Sequence, residues 1–298
     1  MKRSFSIITV CKGRLEHLKQ SLPRMIGQSD SEVIVVDYSC PDKSGDYVEE
    51  HFPAVKVVRV EGERVFSNWK GRNRGAAVAT GDMLIFCDAD TILTEKAAEA
   101  ISKTVPEKAF GFFTRKSTAH FNKSGLRLEM NQLRGFQAVP TAAFKRLGGY
   151  DELLTGYAAG GDTDLEERLR LIGFKAIGLG DGIIDDVVEH DNVARFTFHR
   201  DPIRISYAAG MLYRRAKIVI LKARKQVPLP PSDLEKMYAT ARKAANKLQQ
   251  GEDTARMTLN VEDAPIGMPR QLGFARGRCQ VSITVQLVLE DRVDLPAD

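Results

Sequence analysis

The first hundred residues alternate two patterns. Short apolar-rich runs occur at 5–10 (FSIITV), 32–37 (EVIVVD), 55–60 (VKVVRV) and 83–87 (MLIFC). Between them lie stretches with apolar residues spaced as on one face of a helix. The runs have the length of strands, and the spaced stretches predict helices. Leu15, Leu18, Leu22 and Ile26 mark the first helix, with Pro23 as a break within or after it. Further helices are predicted at 46–51, 68–79 (closed by Gly81) and 94–104. Apolar strands alternating with helices imply an α/β fold with a mostly parallel sheet flanked by helices on both faces. Ligands of such sheets bind beyond the carboxyl ends of the strands. That draws attention to Lys12, Arg14, Asp37, Ser39, Asp88 and Asp90.

The pattern then becomes mixed. A strand at 135–139, a helix at 141–147, a turn at Gly148-Gly149-Tyr150, a helix at 164–172 and a strand at 175–179 are expected. Residues 201–226 are basic and apolar together, and Pro228, Pro230 and Pro231 break that stretch. A helix-like segment at 232–250 and strand character at 280–289 follow. The expected division is a main α/β domain at 1–200 and a basic helical extension with a small mixed appendage at 201–298.

Composition narrows the classes. With 43% apolar and 28% charged residues in 298, the chain can bury an ordinary core. A net charge of +5 suits handling of anionic diphosphates and lacks the dense basic stripe of a dedicated nucleic-acid binder. The four cysteines, Cys11, Cys40, Cys87 and Cys279, form no CxxC pair, so neither zinc nor a redox motif is indicated. Three lie beside apolar runs and read as reduced core residues. The N-terminal apolar run is too short for a secretory leader, and no stretch approaches the ~20 apolar residues of a membrane span. The expectation is a cytoplasmic protein. The 203–225 segment carries two readings, a helix packed on a core with a solvated basic face, or a peripheral contact with anionic lipid.

Asp88-Ala89-Asp90 sets two carboxylates at the end of an apolar strand. A divalent ion that also holds a diphosphate needs hard oxygen ligands with positions left open. The plain alternative is an acidic turn leading into the next helix. Asp37 closes EVIVVD in a similar position, where it can accept hydrogen bonds from a nucleoside or shape a turn with Ser39 and Pro41. Asn68-Trp69-Lys70-Gly71-Arg72-Asn73-Arg74-Gly75 carries two glycines within a predicted helix, which points to a close backbone approach. In Gly160-Gly161-Asp162-Thr163-Asp164-Leu165-Glu166, Thr163 and Glu166 have capping-box spacing, which leaves Asp162 just outside the helix and free to face a cleft. His190 stands among acids after an apolar pair.

Taken in order, TVCKGR, VVDYS, KGRNRG, DAD and GGYDE…GGDTDLEERLRLIGF resemble the GT-A-fold glycosyltransferases. The likeness is to family 2 and to the related galactosyl- and N-acetylgalactosaminyl-transferase domains, over residues 4–198. The resemblance implies a Rossmann-like sheet and roles residue by residue. Thr9, Lys12, Arg14, Asp37 and Ser39 would border the nucleotide. Arg72 and Asn73 would shape the sugar-diphosphate pocket. Asp88 and Asp90 would hold Mn²⁺ or Mg²⁺, with His190 as third ligand, and Asp162 would be the base that activates the acceptor. One departure is plain, since Gly161 stands where the family pattern has Glu. The reading is a metal-dependent, inverting transferase that moves sugar from a nucleotide sugar, a UDP-sugar foremost, to a carbohydrate or lipid-linked acceptor. A nucleotidyltransferase or a non-catalytic carbohydrate- or nucleic-acid-binding module are the alternatives. The short Cys11-Lys12-Gly13-Arg14 turn counts against the first, and the charge pattern disfavours nucleic acid.

Overall fold

The computed structural model of the chain describes residues 3–113, 135–156, 159–180, 182–189, 197–267 and 276–290. It divides into two compact units, one of residues 1–152 with 161–200 and one of 153–160 with 201–298.

The first unit is a seven-stranded sheet ordered β3-β2-β1-β4-β7-β6-β8. The strands are β1 (Phe5–Cys11), β2 (Ser31–Tyr38), β3 (Lys56–Val60), β4 (Met83–Phe86), β6 (Ala109–Phe113), β7 (Gln137–Pro140) and β8 (Lys175–Leu179). The pairs β1–β2, β2–β3, β1–β4 and β6–β8 are parallel, and β7 alone runs against both its neighbours. This is the mixed, mostly parallel GT-A arrangement. The short β5 (Thr91–Leu93) and β9 (Ile184–Val187) form a separate antiparallel pair. The helices are α1 (Leu15–Ile26), α2 (Ser44–His51), α3 (Asn68–Ala77), α4 (Ala97–Thr104), α5 (Thr141–Arg146) and α6 (Gly161–Leu171).

The central strands are buried on both faces, as their unbroken apolar sequence requires. On one face Phe5, Ile7 and Cys11 of β1 meet Leu18, Leu22 and Met25 of α1 and Ile101 of α4. Pro23 does not end α1, which runs on to Ile26. On the other face α3 lies close to β1. A Cβ on Gly71 would stand 2.6 Å from Val10, and one on Gly75 would stand 2.5 Å from Ile8. The two glycines are the close approach that their sequence cost implied. Ser67 caps α3 by accepting from the Lys70 N–H at 3.3 Å.

The second unit holds α7 (Ile203–Arg224), α8 (Pro231–Asn246) and the antiparallel pair β10 (Thr254–Gly267) and β11 (Arg276–Val288). Only the latter strand was expected. The apolar face of α7, including Ile205, Leu212, Ile220 and Leu221, is buried. Asp201 receives two bonds from Arg242 of α8, at 2.7 and 3.0 Å. Among the described residues no helix is long and apolar enough to cross a membrane.

Candidate active site

The Asp88-Ala89-Asp90 turn leaves the carboxyl end of β4 and is pinned from several sides. The Thr91 N–H bonds the Asp88 carbonyl at 3.0 Å, which closes the turn. Ser21 of α1 donates to the Ala89 carbonyl at 2.7 Å, and the Val188 N–H after β9 reaches the Asp90 carbonyl at 2.7 Å. The two side chains point to different partners. Arg72 donates to Asp88 Oδ1 at 2.7 Å, with Asn68 at 3.4 Å. Arg14 donates to Asp90 Oδ2 at 3.1 Å. The Asp88 side chain is one-third exposed (33%), whereas that of Asp90 is 12% exposed. Gly135 leaves room for Asp88, because a Cβ there would lie 2.0 Å from Oδ2.

Arg72 is fully enclosed. Its guanidinium lies against the rings of Trp69, Phe86 and Tyr150, at 5.4 to 5.7 Å from their centres. Burial favours its neutral form, but Tyr150 and Asp88, with Asp162 further off, outweigh that and raise its pKa. Burial likewise pushes the Tyr150 hydroxyl up. Tyr150 donates to Gln137 Oε1 at 2.7 Å. Gln137 in turn donates to the Asp162 carbonyl at 3.2 Å and to Glu166 at 3.4 Å. One chain of hydrogen bonds therefore runs from the β4 end to the first turn of α6.

Helix α6 begins at Gly161, two residues before the expected cap at Thr163. Asp162 therefore lies inside the first turn, where its Oδ1 accepts from the Thr163 N–H at 2.8 Å. Asp164 is buried and ion-paired with Arg168 at 2.7 Å. Arg168 also holds the Leu147 and Gly149 carbonyls, at 3.0 and 2.8 Å, so this pair fixes the glycine turn ahead of Tyr150. Asn73 braces the same turn. It accepts from the Tyr150 N–H and donates to the Tyr150 carbonyl, both at 2.9 Å. Gly149 (φ +78°) has no room for a side chain, because a Cβ would meet Asn73 Oδ1 at 2.5 Å. The Gly161 departure has a packing cause as well. A Cβ on it would fall 2.5 Å from the Trp69 indole, so the ring fills the space a side chain would need.

The residues expected to border the nucleotide cluster at the ends of β1 and β2, but most have local partners. All three protons of the buried Lys12 ammonium are taken by the carbonyls of Tyr38, Ser39 and Glu63, at 3.1, 3.0 and 2.7 Å. Burial lowers its pKa. Asp37 accepts from the N–H groups of Cys40 and Gly45 at 2.8 and 2.7 Å, so it shapes the turn into α2. Ser39 bonds the Val60 carbonyl and the Glu63 N–H. Thr9 is fully buried beneath α1, and its hydroxyl has no partner among the described residues. His190 lies outside the described residues, among which no three metal-ligating side chains gather.

Sequence reasoning passed over Glu166, Tyr150, Gln137 and Trp69. Glu166 read as half of a capping box, yet it lies between Gln137 and Arg170. Burial, with Asp162 nearby, raises its pKa to about 7 from an ordinary 4.5. Between those two values the native state keeps a proton that the unfolded chain releases. Stability from this group thus falls as pH rises from about 4.5 to 7, then levels off. Glu166→Gln cannot ionise. It is expected to exceed wild type by roughly 1–3 kcal/mol at pH 8 and to match it near pH 4. Urea melts at the two pH values measure this, and an equal offset at both would remove the charge argument.

Residues 6–142 match the profile described as Glycosyl transferase family 2. No curated protein matches the chain. Among solved structures, S. aureus TarS 1–349 is similar at 17% identity and a TM-score of 0.54, with 82% of this chain and 71% of that one covered. Its complex with UDP aligns at 15% identity and 0.54, over 79% and 70%. The mannosyltransferase PcManGT from Pyrobaculum calidifontis, in complex with GDP-Man and Mn²⁺, aligns at 15% and 0.49, over 84% and 76%. The profile match and the shared fold point the same way: residues 6–142 are similar to glycosyl transferase family 2 domains, and the chain's fold is similar to that of TarS.

Proposed function

We propose that this protein transfers a sugar, with inversion, from a nucleoside-diphosphate sugar to an acceptor hydroxyl. UDP-sugars are the foremost donors, in keeping with the UDP complex of the similar TarS. The observation that carries the reading is the joint arrangement of Asp88 and Asp162. Asp88 bonds Arg72 directly, and hydrogen bonds lead from Arg72 through Tyr150 and Gln137 to the main-chain carbonyl of Asp162. The acid proposed for the donor side and the acid proposed for the acceptor side thus flank one buried pair, Arg72 and Tyr150.

Two hard carboxylate donors at one strand end fit Mn²⁺ or Mg²⁺, and the exposure of Asp88 leaves a side open to diphosphate oxygens. Asp88 and Asp90 would hold the ion, with His190 as the further ligand expected from the family pattern. When bound, it would supply positive charge to the leaving diphosphate. The chain's own groups do the rest. Arg72 and Arg14 orient the two carboxylates. Asp37, Ser39 and the Lys12–Arg14 turn border the nucleoside end, with Thr9 beneath them. Arg72 and Asn73 shape the sugar-diphosphate pocket, Asn73 by holding the Tyr150 turn. The acceptor oxygen attacks the anomeric carbon, the bond from that carbon to the diphosphate oxygen breaks, and Asp162 takes the hydroxyl proton. The acceptor class in view is a carbohydrate or lipid-linked sugar.

The test is a panel of UDP-sugars and GDP-mannose, scored by thermal shift and by nucleoside diphosphate release, with Mn²⁺ and with chelator. Binding to the native state raises the melting midpoint. A divalent-dependent shift and release are expected with at least one donor. No shift and no release across the panel would overturn the reading.

A further inference from the structure

We propose that Tyr150, acting through Gln137, is a positioning residue that ties the state of the Asp88 carboxylate to the placement of Asp162. This rests on the glycosyl-transfer reading above and assigns roles to residues outside its acid pair. Tyr150, Gln137 and Arg72 are 2%, 0% and 1% exposed, so water does not stand in for a lost bond along this path.

The polarity of the path is forced. Arg72 has only protons to give, so the Tyr150 oxygen accepts from it at 3.2 Å. The single Tyr150 proton then goes to Gln137 Oε1 at 2.7 Å. That bond settles the orientation of the Gln137 amide. Its nitrogen must face α6, where it donates to the Asp162 carbonyl and the Glu166 carboxylate. Were the amide flipped, the tyrosine proton would face another donor, and the Asp162 carbonyl would face an oxygen. The hold on the first turn of α6 is therefore dictated from Arg72, whose carboxylate partner is Asp88. When Asp88 engages a donor, Arg72 shares that partner, and the change passes through Tyr150 and Gln137 to the backbone of Asp162. The same acid is thus set for the acceptor when the donor side is filled.

Tyr150→Phe removes one oxygen and keeps the ring contacts with Trp69, Phe86 and Phe144. Its UDP affinity with Mn²⁺, read by calorimetry, is expected to stay within about twofold of wild type, while kcat falls about 10- to 100-fold. Hydrogen exchange over 161–171 supplies a readout separate from turnover. UDP with Mn²⁺ is expected to increase protection there in wild type and to leave Tyr150→Phe unchanged. Gln137→Met should reproduce both results, and the double variant should be no slower than the slower single one. The inference is overturned if the exchange response survives in Tyr150→Phe, if wild type binds UDP with no response, if the two kcat losses multiply, or if affinity and kcat fall together with the melting temperature. Wild type that binds none of the panel's nucleotide sugars would instead sink the glycosyl-transfer reading, and this inference with it.

Discussion

Asp162→Asn is expected to slow transfer about 10²- to 10⁴-fold and to leave UDP affinity within about twofold of wild type. The amide matches the carboxylate in size. Its oxygen can keep the bond that Asp162 Oδ1 accepts from the Thr163 N–H at 2.8 Å, so the first turn of α6 needs no rearrangement. The main-chain carbonyl of residue 162 remains available to Gln137. What the variant loses is the ability to take a proton from the acceptor, and the loss therefore appears in kcat. Asp90→Asn offers the contrast. It weakens the ion pair with Arg14 and the negative charge expected to hold the metal, so donor affinity should fall along with turnover. Calorimetry with UDP and Mn²⁺, paired with transfer rates, separates the two behaviours. Near-normal transfer by Asp162→Asn would mean another acid is the base, or that the reaction retains configuration.

Arg72→Met is expected to destabilise the protein by about 2–4 kcal/mol, a fall of roughly 5–10 °C in melting temperature. Arg72 is among the largest side chains that the fold buries completely. Methionine fills much of its volume against Trp69, Phe86 and Tyr150, so the cost is not mainly a cavity. It comes from the polar groups left behind. Tyr150 loses a donor at 3.2 Å inside the core, and Asp88 loses its guanidinium partner at 2.7 Å. Asp88 retains some contact with water, which keeps the cost below that of a fully orphaned buried charge. A double-mutant cycle with Asp88→Asn apportions it. If the two variants act additively, or if Arg72→Met melts within about 2 °C of wild type, the ion pair does not support the fold in this way.

The strands β1, β2 and β4 were legible because a strand buried on both faces leaves a local mark, a short run of apolar residues ending in polar ones. The place of the Asp88-Ala89-Asp90 turn was legible for the same reason, since a position just past such a run lies at the carboxyl edge of the sheet, where ligands of parallel α/β sheets bind. The glycines of α3 also spoke locally, because Gly71 and Gly75 make little sense in a helix that nothing approaches. By contrast, the short β5 and β9 depend on pairing with each other across the chain, and neither has a run long enough to stand out. The N-terminus of α6 misled for a different reason. Thr163 and Glu166 have capping-box spacing, but Gln137 and Arg170 engage the Glu166 carboxylate, and the helix starts earlier.

By itself, then, the chain's local pattern determined the α/β sheet and the acidic turn at the end of β4. Only the tertiary structure decided which groups are already partnered. Along the sequence Lys12 and Asp37 are polar residues at strand ends, and only in space does it emerge that they bond strand-end and loop carbonyls and turn N–H groups. Arg72 and Tyr150 are 78 positions apart, and nothing in either neighbourhood names the other. Periodicity reports which face of an element is buried, because it repeats every two residues or every 3.6. It carries no record of which buried donor meets which acceptor, since that choice is made when separate elements close over one core.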